Sequence, residues 1–365
     1  MSDNQSTTGD SPKPARLKSL DALRGFDMFW IIGGDQFLRA FTKSSKWEWD
    51  DKIGEHMYHT AWEGIHAYDL IFPLFMFLAG VSIPYAICSK LEKGAQKRTM
   101  LAKVVKRVLV LIFLGLVYNG CMSFNFESLR GASVLGQIGV AYGIAAVICI
   151  YSKRLLTPLY WSIGIMLGYA ALQLWLPVPG VGAGELTKAG SVNSYVDRYF
   201  LPGVLLGKDF DPEGLMSMIS ASAIVLMGYM AGVVLRSAKY TDIKKCVILT
   251  SSALVLLVLG LMIGPYYPPI KQIWTTTFNL YAGGISLLLL VVFYVVVDML
   301  KYQKTAFFFC VIGMNSITIY MANRFIDFRY FSELIFVGSS SIATVLLLEW
   351  LLLWFLYKKK LFLKV

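Results

Sequence analysis

The sequence predicts an all-α polytopic membrane protein of about ten transmembrane helices, with both termini in the cytosol. Three observations predict it. Hydrophobic residues fill 56% of the 365 positions and mean hydropathy is +0.60, while charged residues are only 16%, against about 25% in soluble domains. Apolar runs of about 17–25 residues recur along the chain, each enough to cross a hydrocarbon core of roughly 30 Å at 1.5 Å per residue. Lys and Arg gather in alternate short connectors, the bias that marks cytosolic loops.

The chain divides into a polar tail, residues 1–15, rich in Ser, Thr, Asp and Pro, and a single transmembrane domain, 16–365. The tail reads as disordered. It lacks the apolar stretch of a signal peptide. Spans are expected at 19–40, 64–88, 105–122, 133–152, 156–176, 214–236, 246–264, 276–300, 306–323 and 336–357. The basic connectors carry Lys90 to Arg107, then Lys153 and Arg154, then Arg236 to Lys245, then Lys301 and Lys304, with Lys358–Lys360 and Lys364 near the C-terminus. The segment around His59, and the stretches 177–213 and 265–275, then face outward. The 177–213 stretch is long enough for a lid or substrate loop. No internal repeat and no pair of broken helices is evident. A net charge of +11 could suggest nucleic acid, but basic residues confined to short loops argue topology instead. The five cysteines are scattered without a CxxC and read as small packing residues.

Chemistry concentrates in residues 16–80. The first apolar arm carries Asp21, Arg24, Asp27 and Asp35, and the second carries Asp69. Ionisable groups at membrane depth are costly and usually serve an ion path, a proton path or a reaction. Arg24 and Asp35 are eleven residues apart, which on one straight helix puts them on a shared face about 16 Å apart, lining a polar tunnel. Asp21 and Arg24 can also pair at i, i+3. His59, one of three histidines, precedes Trp62 and Glu63 and is the general-base candidate. His56 and His59 form an HxxH without further ligands at metal spacing, so no metal is expected. His66 and Asp69 are i, i+3 neighbours able to pair. Pro73 should kink the second helix. Asp211-Pro212-Glu213-Gly214 should open a helix with Asp211 as N-cap. Asn315 and Ser316, inside an apolar span, can bind a ligand or join helices.

These residues carry a resemblance. Arg16-x-x-Ser19-Leu20-Asp21-x-x-Arg24-Gly25, His59-x-x-Trp62-x-Gly64 and Asp69-x-x-Phe72-Pro73-x-Phe75-x-Phe77-x-x-Gly80 are followed by Val134–Gly139, Asp211–Gly214, Pro269–Thr275 and Gly313–Ser316. The ordered series resembles the heparan-alpha-glucosaminide N-acetyltransferase family and its shorter bacterial transmembrane relatives. It implies an acetyltransferase of the inner membrane, passing the acetyl group of cytosolic acetyl-CoA through a tunnel to the amino group of glucosamine or a terminal glucosaminide on the periplasmic side. On that resemblance His59 is catalytic, with Asp35 and Asp69 as carboxylates that orient it. Arg24, Ser19, Arg16, Gln137, Asn315 and Ser316 are placed at the coenzyme, and Trp62, Glu63 and Trp274 at the acceptor. Asp35 stands where the animal enzymes carry Asn, and Gln137 where many relatives carry Arg. The large luminal domain of the animal enzyme is expected to be absent. The implied partners are acetyl-CoA, an amino sugar or glycan, membrane lipid and a second copy of the chain, without nucleic acid. The competing readings are a transporter of an amino sugar or N-acetylglucosamine and a non-enzymatic lipid- or glycan-binding scaffold.

Overall fold

The computed structural model describes residues 17–44, 50–125, 127–335 and 342–363. The 1–15 tail and Arg16 lie outside them. Helix α1 (Lys18–Phe29) passes through a π-helical turn, Trp30–Gly34, into α2 (Asp35–Ser44). The first expected span is thus two helices. Gly33 makes the break, with φ at 135°, a conformation that a side chain would forbid. Helical phase does not carry across it, so Arg24 and Asp35 do not share the stripe that a straight helix would give them.

After α3 (Asp50–Glu55), a 3₁₀ turn (Ala67–Leu70), α4 (Ile71–Ile83), a π-helical turn (Pro84–Cys88) and α5 (Ser89–Glu92) run on continuously. Pro73 is the third residue of α4. It stands in the first turn after the 3₁₀ segment hands over to α-helix, and a π-helical turn begins at Pro84. Then follow α6 (Lys97–Tyr118), α7 (Val134–Tyr151), α8 (Thr157–Trp175), α9 (Val192–Phe200), α10 (Leu215–Arg236), α11 (Asp242–Ile263) and α12 (Thr276–Phe293), the last extended by a π-helical turn to Met299. The chain ends in α13 (Phe307–Met314), α14 (Ser316–Phe325), α15 (Phe328–Ile335) and α16 (Ile342–Lys358). Among the described residues there is no strand, only three isolated bridges. Among the described residues, five helical stretches are long and apolar enough to cross a membrane: Ala67–Glu92, Val134–Tyr151, Leu215–Arg236, Asp242–Ile263 and Thr276–Met299.

A second discontinuity falls inside the expected 306–323 span. Asn315 leaves helical geometry (φ −125°, ψ 28°) and separates α13 from α14. Two broken helices therefore exist where none was expected. Glycine runs and asparagine, with weak helical propensity, are the local causes.

Helix α10 is the hub, packed on α4, α7, α8 and α12. Small residues let it approach. A Cβ on Gly80 would collide with the Val225 carbonyl, and one on Gly228 with the Phe77 carbonyl. The α1–α13 crossing works likewise through Gly25 and Gly313. Close backbone contact of this kind replaces the hydrophobic effect as the driving force in lipid. By contrast α11 leaves Leu254, Val255, Val258 and Leu261 exposed, as a lipid-facing helix does.

The packing sorts the connectors to two ends. One end pairs Lys18 with Gln303 (2.6 Å), Ser19 with Asp298, and Arg236 with Glu92. The opposite end brings together residues 59–70, 127–133, 176–214 and 264–275, through contacts such as the Glu63–Ile270 bridge and the Arg130–Asp211 ion pair.

Candidate active site

At this second end Asp69 is fully buried and every part of its carboxylate is used. The 3₁₀ turn begins at His66, whose extended backbone aims its N–H at Asp69 Oδ2 (3.0 Å). The same oxygen accepts from the Thr60 amide and hydroxyl, both at 3.2 Å. So Asp69 takes the His66 backbone amide, while the His66 ring faces the Tyr58 carbonyl (3.0 Å). The expected side-chain pair of His66 and Asp69 does not form, because the capping geometry claims the carboxylate.

The other oxygen, Asp69 Oδ1, faces His59 Nδ1 at 2.7 Å and Lys271 Nζ at 3.2 Å. Lys271 Nζ is also 3.0 Å from His59 Nδ1. Engagement of Nδ1 leaves Nε2 as the nitrogen for a reacting atom, and the side chain is 53% exposed, so that atom can be reached. Tyr68 packs on the imidazole with ring centroids 4.8 Å apart. Lys271 is delivered by the 265–275 loop, which Gly64 N–H to Pro269 O (2.9 Å) and Gln272 Nε2 to Thr60 O (3.1 Å) tie to the His59 segment. Burial pushes the Lys271 ammonium below its ordinary range, and the Asp69 carboxylate opposes that.

Asp35 is buried but bonded to Arg39 Nη2 (2.6 Å), and Arg39 lies 4.5 Å over the Tyr58 ring. Its strongest partner is therefore a cation four residues on, not the imidazole. Trp62 and Glu63 line an outer cavity of about 550 Å³ with residues 184–189 and Pro268. Trp62 Nε1 donates to Leu186 O (2.9 Å), and Lys188 sits 5.6 Å from its ring. Trp274 is not there. It is 1% exposed, wedged edge-on between Phe72 and Phe278, because its indole serves the core where the 265–275 loop joins α12.

Behind this mouth, Arg130 binds Asp211 and Glu213 together. Asp211 also accepts the Leu206 and Glu213 amides, both at 3.1 Å. It is not the cap of α10, whose N-cap is Gly214. That role falls to Asp197, which accepts the Leu215 amide at 3.0 Å. Asp197 is 1% exposed, and burial pushes its carboxyl up to about 7, with the Asp211 charge adding and the Leu215 amide opposing. The folded state thus holds a proton that the unfolded chain releases near 3.8. That stabilisation is full below about pH 4 and lost as pH rises through about 7. Asp197→Asn, which keeps the capping oxygen, should flatten this fall. Its thermal midpoint in detergent should exceed the parent's by a few degrees at pH 8 and not at pH 4, whereas parallel falls in both proteins would place the proton elsewhere.

A second cavity, of about 280 Å³, lies towards the basic end. Arg24 from α1, Phe75, Ala79 and Ser82 from α4, Arg107 from α6, Leu135 and Ile138 from α7, and Gly313–Ile317 at the α13–α14 break line it. Phe75, Ala79 and Ser82 stand at i, i+4 and i+7, one face of α4. Arg24 donates to Ser82 Oγ (2.9 Å) and lies 3.9 Å from Asp21, as the i, i+3 spacing allowed. Arg107 covers the Tyr142 ring at 4.2 Å. Neither amide atom of Asn315 or Gln137, nor Arg107 Nε, has a hydrogen-bond partner among the described residues, though all are buried. Unmatched buried polar atoms are rare in native proteins; of these residues Asn315 and Arg107 line the cavity and Gln137 does not. Ser19 is turned away to Asp298.

The structure thus gathers His59 with Asp69, Trp62 with Glu63, and Arg24 with Asn315 and Ser316. It does not join them in one chamber. His59 lines neither the Arg24 cavity nor the Trp62 cavity. What links the levels is the continuous run of the 3₁₀ turn and α4, thirteen residues from Asp69 to Ser82, about 20 Å along its axis. The sequence reading gave no site role to Lys271, Arg107 or Arg130, though Arg107 stood among the basic connectors and Lys271 within the Pro269–Thr275 motif. Lys271 left a further signal: it is the sole cation between Lys245 and Lys301, in a loop where the topology disfavours cations.

Comparison with known proteins places these motifs in context. Residues 16–154 match a family model described as a domain of unknown function, DUF5009. The chain is 29% identical over 96% of its length to heparan-alpha-glucosaminide N-acetyltransferase of Mus musculus, and 27% identical over 97% to that of Homo sapiens. It spans 60% and 61% of those proteins. The resemblance carried by the ordered motifs therefore holds along nearly the whole chain.

Proposed function

We propose that this chain is a multi-pass acetyltransferase of the inner membrane. It takes the acetyl group of acetyl-CoA at the basic, cytosolic end and delivers it to the amino group of glucosamine or a terminal glucosaminide at the periplasmic end. One observation carries the proposal. A buried carboxylate orients an accessible imidazole just before the start of α4, and two arginines and the unmatched Asn315 amide line a cavity against Phe75, Ala79 and Ser82 of the same helix. The relatives' names supply the reaction class. About ten spans with both termini in the cytosol fit this reading, since the basic connectors collect at one end.

The donor set of the inner cavity fits an anionic, amide-bearing molecule. Arg24 and Arg107 would hold charge, and Asn315 would meet an amide. At the outer end, the acceptor amine must be unprotonated to attack. Its nitrogen forms the C–N bond as the C–S bond breaks. His59 Nε2 takes the amine proton and gives it to the departing coenzyme thiolate. Asp69, bonded to Nδ1, fixes the tautomer that leaves Nε2 free and stabilises the imidazolium. Trp62 and Glu63 offer an aromatic face and a carboxylate to an amino sugar.

The test is direct. Purified protein in nanodiscs, given labelled acetyl-CoA and glucosamine, should form labelled N-acetylglucosamine. The two broken helices favour one rival, a transporter, because discontinuous helices are the usual frame of midplane sites. Proteoliposomes that accumulate amino sugar without any acyl-CoA, and form no acetylated product, would establish it instead.

A further inference from the structure

The mechanism leaves one cation at the reacting centre unused. Lys271 Nζ is 3.0 Å from His59 Nδ1 and 3.2 Å from Asp69 Oδ1, on a side chain 14% exposed. An ammonium cannot take a proton from an amine, yet it is within contact of the group that does. The charged groups facing it come from each packed segment. His59 and Asp69 lie on the 59–70 segment, and Glu213, itself held by Arg130, acts from the loop before α10. Behind the imidazole stand Tyr68, Asp35 and Arg39.

Asp69 alone would hold an imidazolium too well. A carboxylate at hydrogen-bond distance favours the charged ring, and a base that keeps its proton cannot turn over. A cation at similar distance works against that. Asp69 Oδ1 has lone pairs for both donors, so a Nδ1–H imidazole and an ammonium can share it. We propose that Lys271 is a positioning residue of the acyl-transfer site, whose ammonium shares Asp69 Oδ1 with His59 and lets the imidazole shed the proton it takes from the acceptor amine. This rests on the acetyltransferase reading and extends it.

The experiment uses the full chain in nanodiscs, with Lys271→Met, Lys271→Gln and Lys271→Arg. The rate–pH profile of acetyl transfer is one readout. The other needs no activity: carbethoxylation of His59 by diethylpyrocarbonate, which only the uncharged ring undergoes, quantified by peptide mass spectrometry across pH. In Lys271→Met the acid limb of the rate and the midpoint of carbethoxylation should both rise by about one pH unit, a roughly tenfold larger deficit at pH 6 than at pH 8.5. Lys271→Arg should restore both. Lys271→Gln carries the test if the Met variant does not fold. A loss uniform across pH with an unmoved carbethoxylation midpoint would reduce Lys271 to a structural part and overturn the proposal, as would an Arg variant that behaves like Met. If the parent transfers no acetyl group, the enzymatic reading fails, and the carbethoxylation midpoint still decides whether Lys271 governs the charge of His59.

Discussion

Replacing His59 with Ala should lower kcat for acetyl transfer by about 10²- to 10⁴-fold, the usual worth of a positioned general base, while KM for either substrate changes little. His59 touches Asp69, Lys271 and Tyr68 at its ring but lines neither cavity, so binding should survive its removal. Asp69→Asn is the more revealing change. The Asn oxygen would turn to the Thr60 and His66 amides, which only an acceptor can satisfy. Its NH₂ would then face His59 Nδ1 and force that nitrogen to accept, moving the ring proton to Nε2. The base would be blocked with the fold intact, costing up to about 10⁴-fold in kcat. Initial rates at saturating acetyl-CoA and acceptor measure both. Near-parental activity in His59→Ala would remove the imidazole from the chemistry.

What the sequence showed, and what it hid, follows from range. Apolar runs and basic connectors are local, so the helical membrane architecture could be read directly. The interval from His59 to Asp69 is short, and their pairing needed only one turn between them. Lys271 is 202 residues from Asp69, and Arg130 is 81 from Asp211. Nothing in either neighbourhood names the partner. Local rules also misled where tertiary contact overrode them. Asp211-Pro-Glu-Gly has the chemistry of a helix start, yet Arg130 claims the Asp211 carboxylate and Asp197, 18 residues before Leu215, does the capping. Trp274 looked like an acceptor platform because tryptophan often is one. Only packing shows it to be core. The unbroken first span failed on a single backbone angle at Gly33.

Arg24→Ala should raise KM for acetyl-CoA about 10- to 100-fold, the loss expected for one charge-assisted contact of roughly 1.5–3 kcal/mol, with kcat at saturation changed far less. The guanidinium also binds Ser82 and neighbours Asp21, so a fall in activity alone could reflect loosened packing of α1 on α4. A truncated donor separates the two causes. S-acetyl-N-acetylcysteamine carries the thioester and one amide without the phosphates. If Arg24 holds the anionic part of the coenzyme, parent and Arg24→Ala should use this donor equally well, and the penalty should appear only with acetyl-CoA. Equal penalties on both donors would make Arg24 a structural residue. Arg107 gives the internal check. Its side chain reaches the same cavity from α6, so if both arginines meet one group, Arg24→Ala and Arg107→Ala combined should cost less than the product of the single effects. Arg24→Lys keeps the charge but loses the planar fork, and should fall between parent and alanine. That ordering, in KM and not in kcat, is what a donor site on the α4 face distant from His59 requires.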